Sequence, residues 1–426
     1  MQKEDGSIVV RLARKNGMLI VCAAALLALL LTSAAGAVTL RVTLASVDER
    51  VQSGTEALFR QFTEKTGIDV EIVNTYGTDF DRLAVEFIGG VAADVLLTWN
   101  QLPDMAMRNG MFLDLRPYIE RHGRWDLLAD FIPGTVEMAT RDGAIYGFPF
   151  YSSSGAMFYN VDMFQSAGVA PPDRNWTWEE FADLAARLTR RGGDGITEVY
   201  GAHSTLGWLN VLPWLWQAGA QVHPVDDPGR VTMNTPESMT ALEFLQDLTQ
   251  REIMTWDFRM YHYGNAAMSP SGSWEFQFLD GSFEIGVTSL PVGPAGRANF
   301  TNTDILAINA NTEHPDEAWA FLDWFYTTEV QEEYLYLRGN QPARMSLGLE
   351  WIESVRRANP NKSFSGLEAF IEDALIAKPQ PYFSDASVIA NHIMPAIRSI
   401  IIDGAPAGST LEDMSRVATN YLQSLN

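Results

Sequence analysis

Residues 38–98 repeat one alternation, and it leaves few folds open. In VTLRVTLA, apolar Val38, Leu40, Val42 and Leu44 interleave with Thr39, Arg41 and Thr43, the period of a half-buried strand. A helical stretch follows with Leu58 and Phe62 on one face, and Gly67 stops it. IDVEIV returns to period two through Ile68, Val70 and Ile72. Phe80, Leu83, Ala84 and Phe87 then fall at i, i+3, i+4 and i+7, closed by Gly89-Gly90. ADVLLTW is a short continuous apolar run, which suits a strand buried on both faces. Strand, helix, strand, helix, strand predicts a parallel sheet covered by helices.

The chain of 426 residues exceeds the size at which one core keeps growing, so two domains are expected. Beyond residue 160 the texture is more helical. TWEEFADLAARLT opens with Thr177 three residues before Glu180, a capping box, and buries Phe181, Leu184, Ala185 and Leu188. NTPESMTALEFLQDL carries Pro236 in its first turn, and HPDEAWAFLDWFYTTE spaces Ala318, Phe321, Leu322 and Phe325 helically. FEIGVTSLPVG reads as a strand ended by Pro291. With no long linker, the two domains are expected to share several short crossovers.

A formal charge of -23 argues against nucleic acid and against an anionic membrane surface, because either needs Lys and Arg to meet phosphate. Residues 1–37 read as a signal peptide: Arg11, Arg14 and Lys15, then the apolar run Met18–Leu31, then Ala35-Gly36-Ala37. That run is shorter than the roughly 20 residues a spanning helix needs. The single cysteine, Cys22, leaves with it, so the mature chain would have no disulfide and no thiolate site. No cysteine follows that could carry a lipid, and a periplasmic location without an anchor is expected.

The sequence shows no histidine pair at metal-ligand spacing, no phosphate loop and no Gly-x-Ser-x-Gly elbow. No metal or other cofactor is expected. Glu179-Glu180 and Asp226-Asp227 invite a glycosidase reading. The first pair lies where carboxylates favour a helix dipole, and the second precedes a Pro-Gly turn. Aromatics are more informative. Of 12 tryptophans, Trp214, Trp216, Trp319 and Trp324 read as packing residues, whereas Trp99, Trp208 and Trp274 sit beside glycine or polar residues. An indole face attracts the C–H face of a sugar ring, and Asn100, Gln101 and Asn210 can pair with its hydroxyls.

Three adjacent serines inside YGFPFYSSSGAMFYN need an explanation, since each buried hydroxyl requires a partner. The stretch and its continuation to TWEEF resemble family 1 extracellular solute-binding proteins, the maltose-binding-protein-like receptors of ABC importers. GSWEFQFL with FEIGVTSLPVGPAG, LAINANTEHPDEAWAFLDWF with GNQPARMS, and LFRQFTEKTGIDVEI with ADVLLTWN follow in family order over nearly the whole mature chain. The resemblance implies an α/β, two-lobed periplasmic binding protein fold of type II with solute in the cleft. It implies lobe 1 from 38–150 and 290–341, lobe 2 from 155–286 and 345–426, and hinge crossovers near 150–154, 287–291 and 341–344. The serines would then line a cleft floor, wet when open, with Gly155 allowing a bend. Residue by residue it implies contacts from Ser46, Asp48, Tyr76, Trp99, Asn100, Gln101, Ser153, Trp208, Asn210, Trp274 and Tyr382. The 45–50 loop lacks the tryptophan and glycine of the maltose pattern, so the ligand need not be maltose.

The expected function is capture of a mono-, di- or oligosaccharide and delivery to an importer's permease subunits, whose ATPase is a separate chain. A monomer that is not an enzyme is expected. A polyol, glycerophosphodiester or organic acid is the alternative ligand. An anion would want a cation at the cleft, where only Arg50 and Arg344 adjoin the candidates. A secreted glycoside hydrolase is the weaker reading.

Overall fold

The structure is a computed structural model that describes residues 38–425 apart from 45–48, 75, 77–78, 100–101, 225–226, 258–259, 278–281 and 339. Ser46, Asp48, Asn100 and Gln101 lie outside the described residues.

Two lobes are built on two sheets. In the first, Asp69–Asn74, Thr39–Leu44, Val95–Thr98, Ile305–Ile308 and Phe148–Pro149 lie side by side in that order. The three N-terminal strands are parallel, as the alternation predicts, and Ile305–Ile308 runs against Val95–Thr98. Residues 95–98 are buried throughout, which explains their unbroken apolar run. Helix Glu49–Thr66 packs through Leu58, Phe59 and Phe62 onto helix Pro315–Phe325. Phe59 and Phe62 meet Phe321 edge-to-face at 5.0 and 5.4 Å.

The second sheet centres on the long strand Ser153–Asn160, flanked antiparallel by Ala266–Gly272 and Ile285–Thr288. Thr197–His203 and Met254–Thr255 extend it beyond 266–272 in parallel. The capping box of helix Trp178–Leu188 forms as expected, with Thr177 and Glu180 satisfying each other's backbone N–H. Trp214, Trp319 and Trp324 are core residues, and Trp216 packs against the core.

Strand register fixes where the chain changes lobes. Pro149 pairs with Ile305 in the first sheet, and Ser153 pairs with Asn302 beside the second, so residues 150–152 make one crossing. The second crossing was expected at 287–291. There the chain still belongs to the second lobe: Leu290 is in that core, Trp176 Nε1 donates to Ser289 O (2.9 Å), and Val292 bridges Thr177. It leaves only after Asn299–Asn302, through Thr303 and Asp304, so residues 290–302 do not belong to the first lobe. Pro291 ends the 285–288 strand without ending the domain. The third passage runs from Ala343, in the first core, to Leu347, in the second.

Candidate functional site

Parallel strands bring their carboxyl ends to one edge, and in open α/β sheets that edge is where ligands bind. Leu44, Asn74 and Thr98 share the edge of the first sheet; His203, Thr255 and Gly272 share that of the second. The first two crossings leave from these edges, since Thr98 pairs with Ile305 and Gly272 with Gly155. The two edges therefore face a common space whose floor is made of crossing segments.

The three serines each join a different part of that floor. Ser152 Oγ pairs with Thr301 Oγ1 (3.3 Å), on the strand leading to the second crossing. Ser153 Oγ pairs with Ser273 Oγ (3.3 Å), at the end of the 266–272 strand. Ser154 Oγ donates toward Gln341 Oε1 and Phe370 O (both 3.2 Å). All three are at most 1% exposed. This corrects the expectation of wet hydroxyls awaiting a ligand: Ser153 is a buried pin between elements. The reason for Gly155 is corrected too. It lies in an extended strand without positive φ, and a Cβ there would meet Asn299 Oδ1 at 2.6 Å and the Phe300 ring at 2.9 Å. Asn299 uses that closeness, accepting from Gly155 N (3.0 Å) and donating to Gly155 O (2.7 Å). Replacing Ser154 by alanine strips Gln341 of one buried partner; a loss of about 1–2 kcal/mol in denaturant unfolding is expected, with sugar affinity unchanged.

Trp274 stands directly above this floor. It follows Gly272 and Ser273 into a short 3-10 helix, Ser273–Gln277, and stays partly exposed. Its ring lies over Gly272, where any Cβ would come within 2.2 Å of it, and stacks on Phe300 at 5.8 Å and 28°. Trp208 and Asn210 occupy the first turn of helix Trp208–Gln217, just past the carboxyl end of Thr197–His203. Asn210 Nδ2 donates to Thr205 O (3.0 Å) and Thr205 Oγ1 (2.5 Å). Among the described residues, Asn210 Oδ1, Trp208 Nε1 and Thr98 Oγ1 are buried without a hydrogen-bond partner. Trp208 is 8% exposed and packs in the second-lobe core, so its unpartnered N–H and the Asn210 oxygen are single open groups at the start of one helix. Trp99, partly buried, ends the 95–98 strand on the opposite wall.

The two candidate tyrosines both lie against a first-lobe core cluster. Tyr76 is buried; its hydroxyl donates to Glu86 Oε2 (2.7 Å) and accepts from Ala93 N (3.2 Å), with Arg82 over its ring. Burial, then Glu86, pushes this phenol up to about 12, so it acts as a neutral strut of the first lobe. Tyr382 packs against the first-lobe cluster that contains Tyr76, while neighbouring Phe383 enters the core of the second. Burial pushes its phenol far up, with Asp104 and Glu137 adding to the effect. An aromatic beside proline or glycine looks alike in sequence whether it serves a ligand or a core.

A polar cluster beneath Trp274 has no counterpart in the sequence reading. Glu275, 5% exposed, accepts from Ser271 Oγ (2.8 Å) through Oε2 and meets His262 Nε2 through Oε1. His203 Nδ1 pairs with Ser269 Oγ (3.3 Å), and burial pushes this imidazole down to about 4, so it is neutral at ordinary pH. Nothing in the spacing of residues 203, 262, 271 and 275 announces that they meet. No group of three His, Cys, Asp or Glu among the described residues could hold a metal ion.

Residues 46–332 match the family model described as bacterial extracellular solute-binding protein. A protein of Brucella abortus (strain 2308), described as a binding protein, is 23% identical over 416 residues, covering 92% of this chain and 95% of the relative. The sugar-binding protein MalE from Xanthomonas citri superposes with a TM-score of 0.76 at 19% identity, covering 91% of this chain and 98% of its own. An ABC substrate-binding protein from Listeria monocytogenes, in complex with cycloalternan, gives 0.74 at 19% identity, covering 91% and 99%. The fold of these two-lobed binding proteins is the fold of this chain.

Proposed function

Because the chain belongs to the bacterial extracellular solute-binding proteins, we propose that it captures a neutral carbohydrate between its lobes and hands it to an ABC importer. Trp274 carries this reading: a partly exposed indole, seated on Gly272 and Phe300, at the point where the crossings meet. Trp208 Nε1 and Asn210 Oδ1, which lack partners, would supply hydroxyl partners on the same lobe, and Trp99 follows a strand of the other. That related folds are described as sugar-binding, or hold cycloalternan, agrees with this chemistry. Of the two cations that could favour an anionic ligand, Arg344 is engaged, donating to Asp130 Oδ2 (2.8 Å) and Tyr326 O (3.1 Å). The Arg50 side chain lies outside the described part.

The lobes bend at 150–152, 303–304 and 343–347, and sugar favours the closed form because only there do both walls touch it. Periplasmic binding proteins are a standing example of such hinge closure. Residues 1–37 act as an export leader; the mature chain is periplasmic, monomeric and unanchored, and docks on permease subunits served by a separate ATPase. No described helix is long and apolar enough to cross a membrane. It binds without breaking a bond and without a cofactor. Calorimetry against glucose, maltose, maltotetraose and arabinotriose is expected to give saturable heat for at least one. No heat from any of them with folded protein, or release of shorter products from maltotetraose, would contradict the assignment.

A further inference from the structure

We propose that Glu275 is a positioning residue: anchored by Ser271 and His262, it fixes the short helix Ser273–Gln277 so that the Trp274 indole lies flat over Gly272. The inference rests on the reading of Trp274 as the sugar platform. A carboxylate at 5% exposure is an expensive thing to place beside a strand end, unless its two oxygens are both occupied. Here the Ser271 hydroxyl donates to Oε2 at 2.8 Å, and His262 Nε2 lies against Oε1. Ser271 belongs to the strand Ala266–Gly272, and His262 to the turn that precedes it. One side chain thus ties the short helix to the strand it leaves and to the turn before that strand.

What the tie protects is an orientation. Trp274 is the second residue of the helix and Glu275 the third, so rotation of one carries the other. The ring occupies the space a Cβ at position 272 would need, and it stacks on Phe300 of the strand that leads into the second crossing. These contacts leave the indole partly exposed. His203, kept neutral by burial, adds no positive charge that would compete for Glu275 at ordinary pH.

The test uses the full mature chain labelled with 5-fluorotryptophan, the Trp274 resonance being identified by its loss in Trp274→Phe. In Glu275→Ala, the Trp274 fluorine signal is expected to shift or split while the others hold, and affinity for maltotetraose, or for whichever of the four sugars binds best, to fall about tenfold. Glu275→Gln keeps an acceptor for His262 and an amide donor for the Ser271 oxygen, and is expected to restore both. An unmoved Trp274 signal in Glu275→Ala, or a Gln variant as impaired as the Ala one, overturns the proposal. If the signal moves and affinity does not, the positioning role stands and Trp274 is not the platform. Should Glu275→Ala fail to fold, Ser271→Ala removes only the 2.8 Å bond and is read by the same two measurements.

Discussion

Replacing Trp274 with alanine is expected to weaken sugar binding by roughly thirtyfold, about 2 kcal/mol, while the thermal midpoint falls by only a few degrees. The two effects separate because the ring is partly exposed. Its stacking on Phe300 contributes on the order of 1 kcal/mol, whereas its exposed part would meet a sugar ring directly. Calorimetry and thermal melting on one protein sample measure both. A variant that unfolds, or one that binds normally, would make Trp274 a packing residue.

A larger effect on stability is expected at Asp373. Asp373, 2% exposed at the end of helix Glu368–Ala374, accepts from Ser289 Oγ (3.1 Å) and pairs with Arg297 Nη1 (3.4 Å) and Arg174 Nη2 (3.5 Å). It clamps the 289–298 loop, which leads into the second crossing. Arg297→Met leaves a buried carboxylate short of charge compensation and is expected to cost about 3 kcal/mol in denaturant unfolding at neutral pH. The pH dependence follows from the direction of the Asp373 shift. Burial, the largest influence, raises its pKa, against Ser289 and the two arginines. The folded chain thus holds this proton more tightly than the unfolded one. Its contribution is most favourable below the ordinary aspartate value and is lost as pH rises through the raised one. Removing Arg297 raises that value further. The gap between variant and wild type should therefore be widest near neutral pH and narrow on acidification through this window. A gap that is constant or grows would mean that Arg297 acts through packing.

The sheets were readable because burial leaves a period in the sequence. Leu40 and Val42 alternate toward one face, Val95 to Leu97 run unbroken because both faces are covered, and Thr177 and Glu180 cap a helix by local chemistry alone. Position 274 stands out for a similar reason: a tryptophan between small and polar residues fits neither period. The floor was not. Ser152, Ser153 and Ser154 find partners at positions 301, 273 and 341, and such distances leave no local trace. The second crossing was misplaced because Pro291 ends a strand, which is a local event, whereas a change of lobe depends on the pairing of 299–302 with the 153–160 strand. Tyr76 shows the same limit, since burial and ligand contact draw on the same aromatic side chains.

Small-angle scattering of the mature chain, with and without a saturating sugar identified by calorimetry, addresses hinge capture most directly. A smaller radius of gyration and a shorter maximum dimension in the bound sample are expected, because the two walls close on the guest. Superimposable profiles at full saturation would mean that the sugar binds without bringing the lobes together, and capture by closure would be wrong.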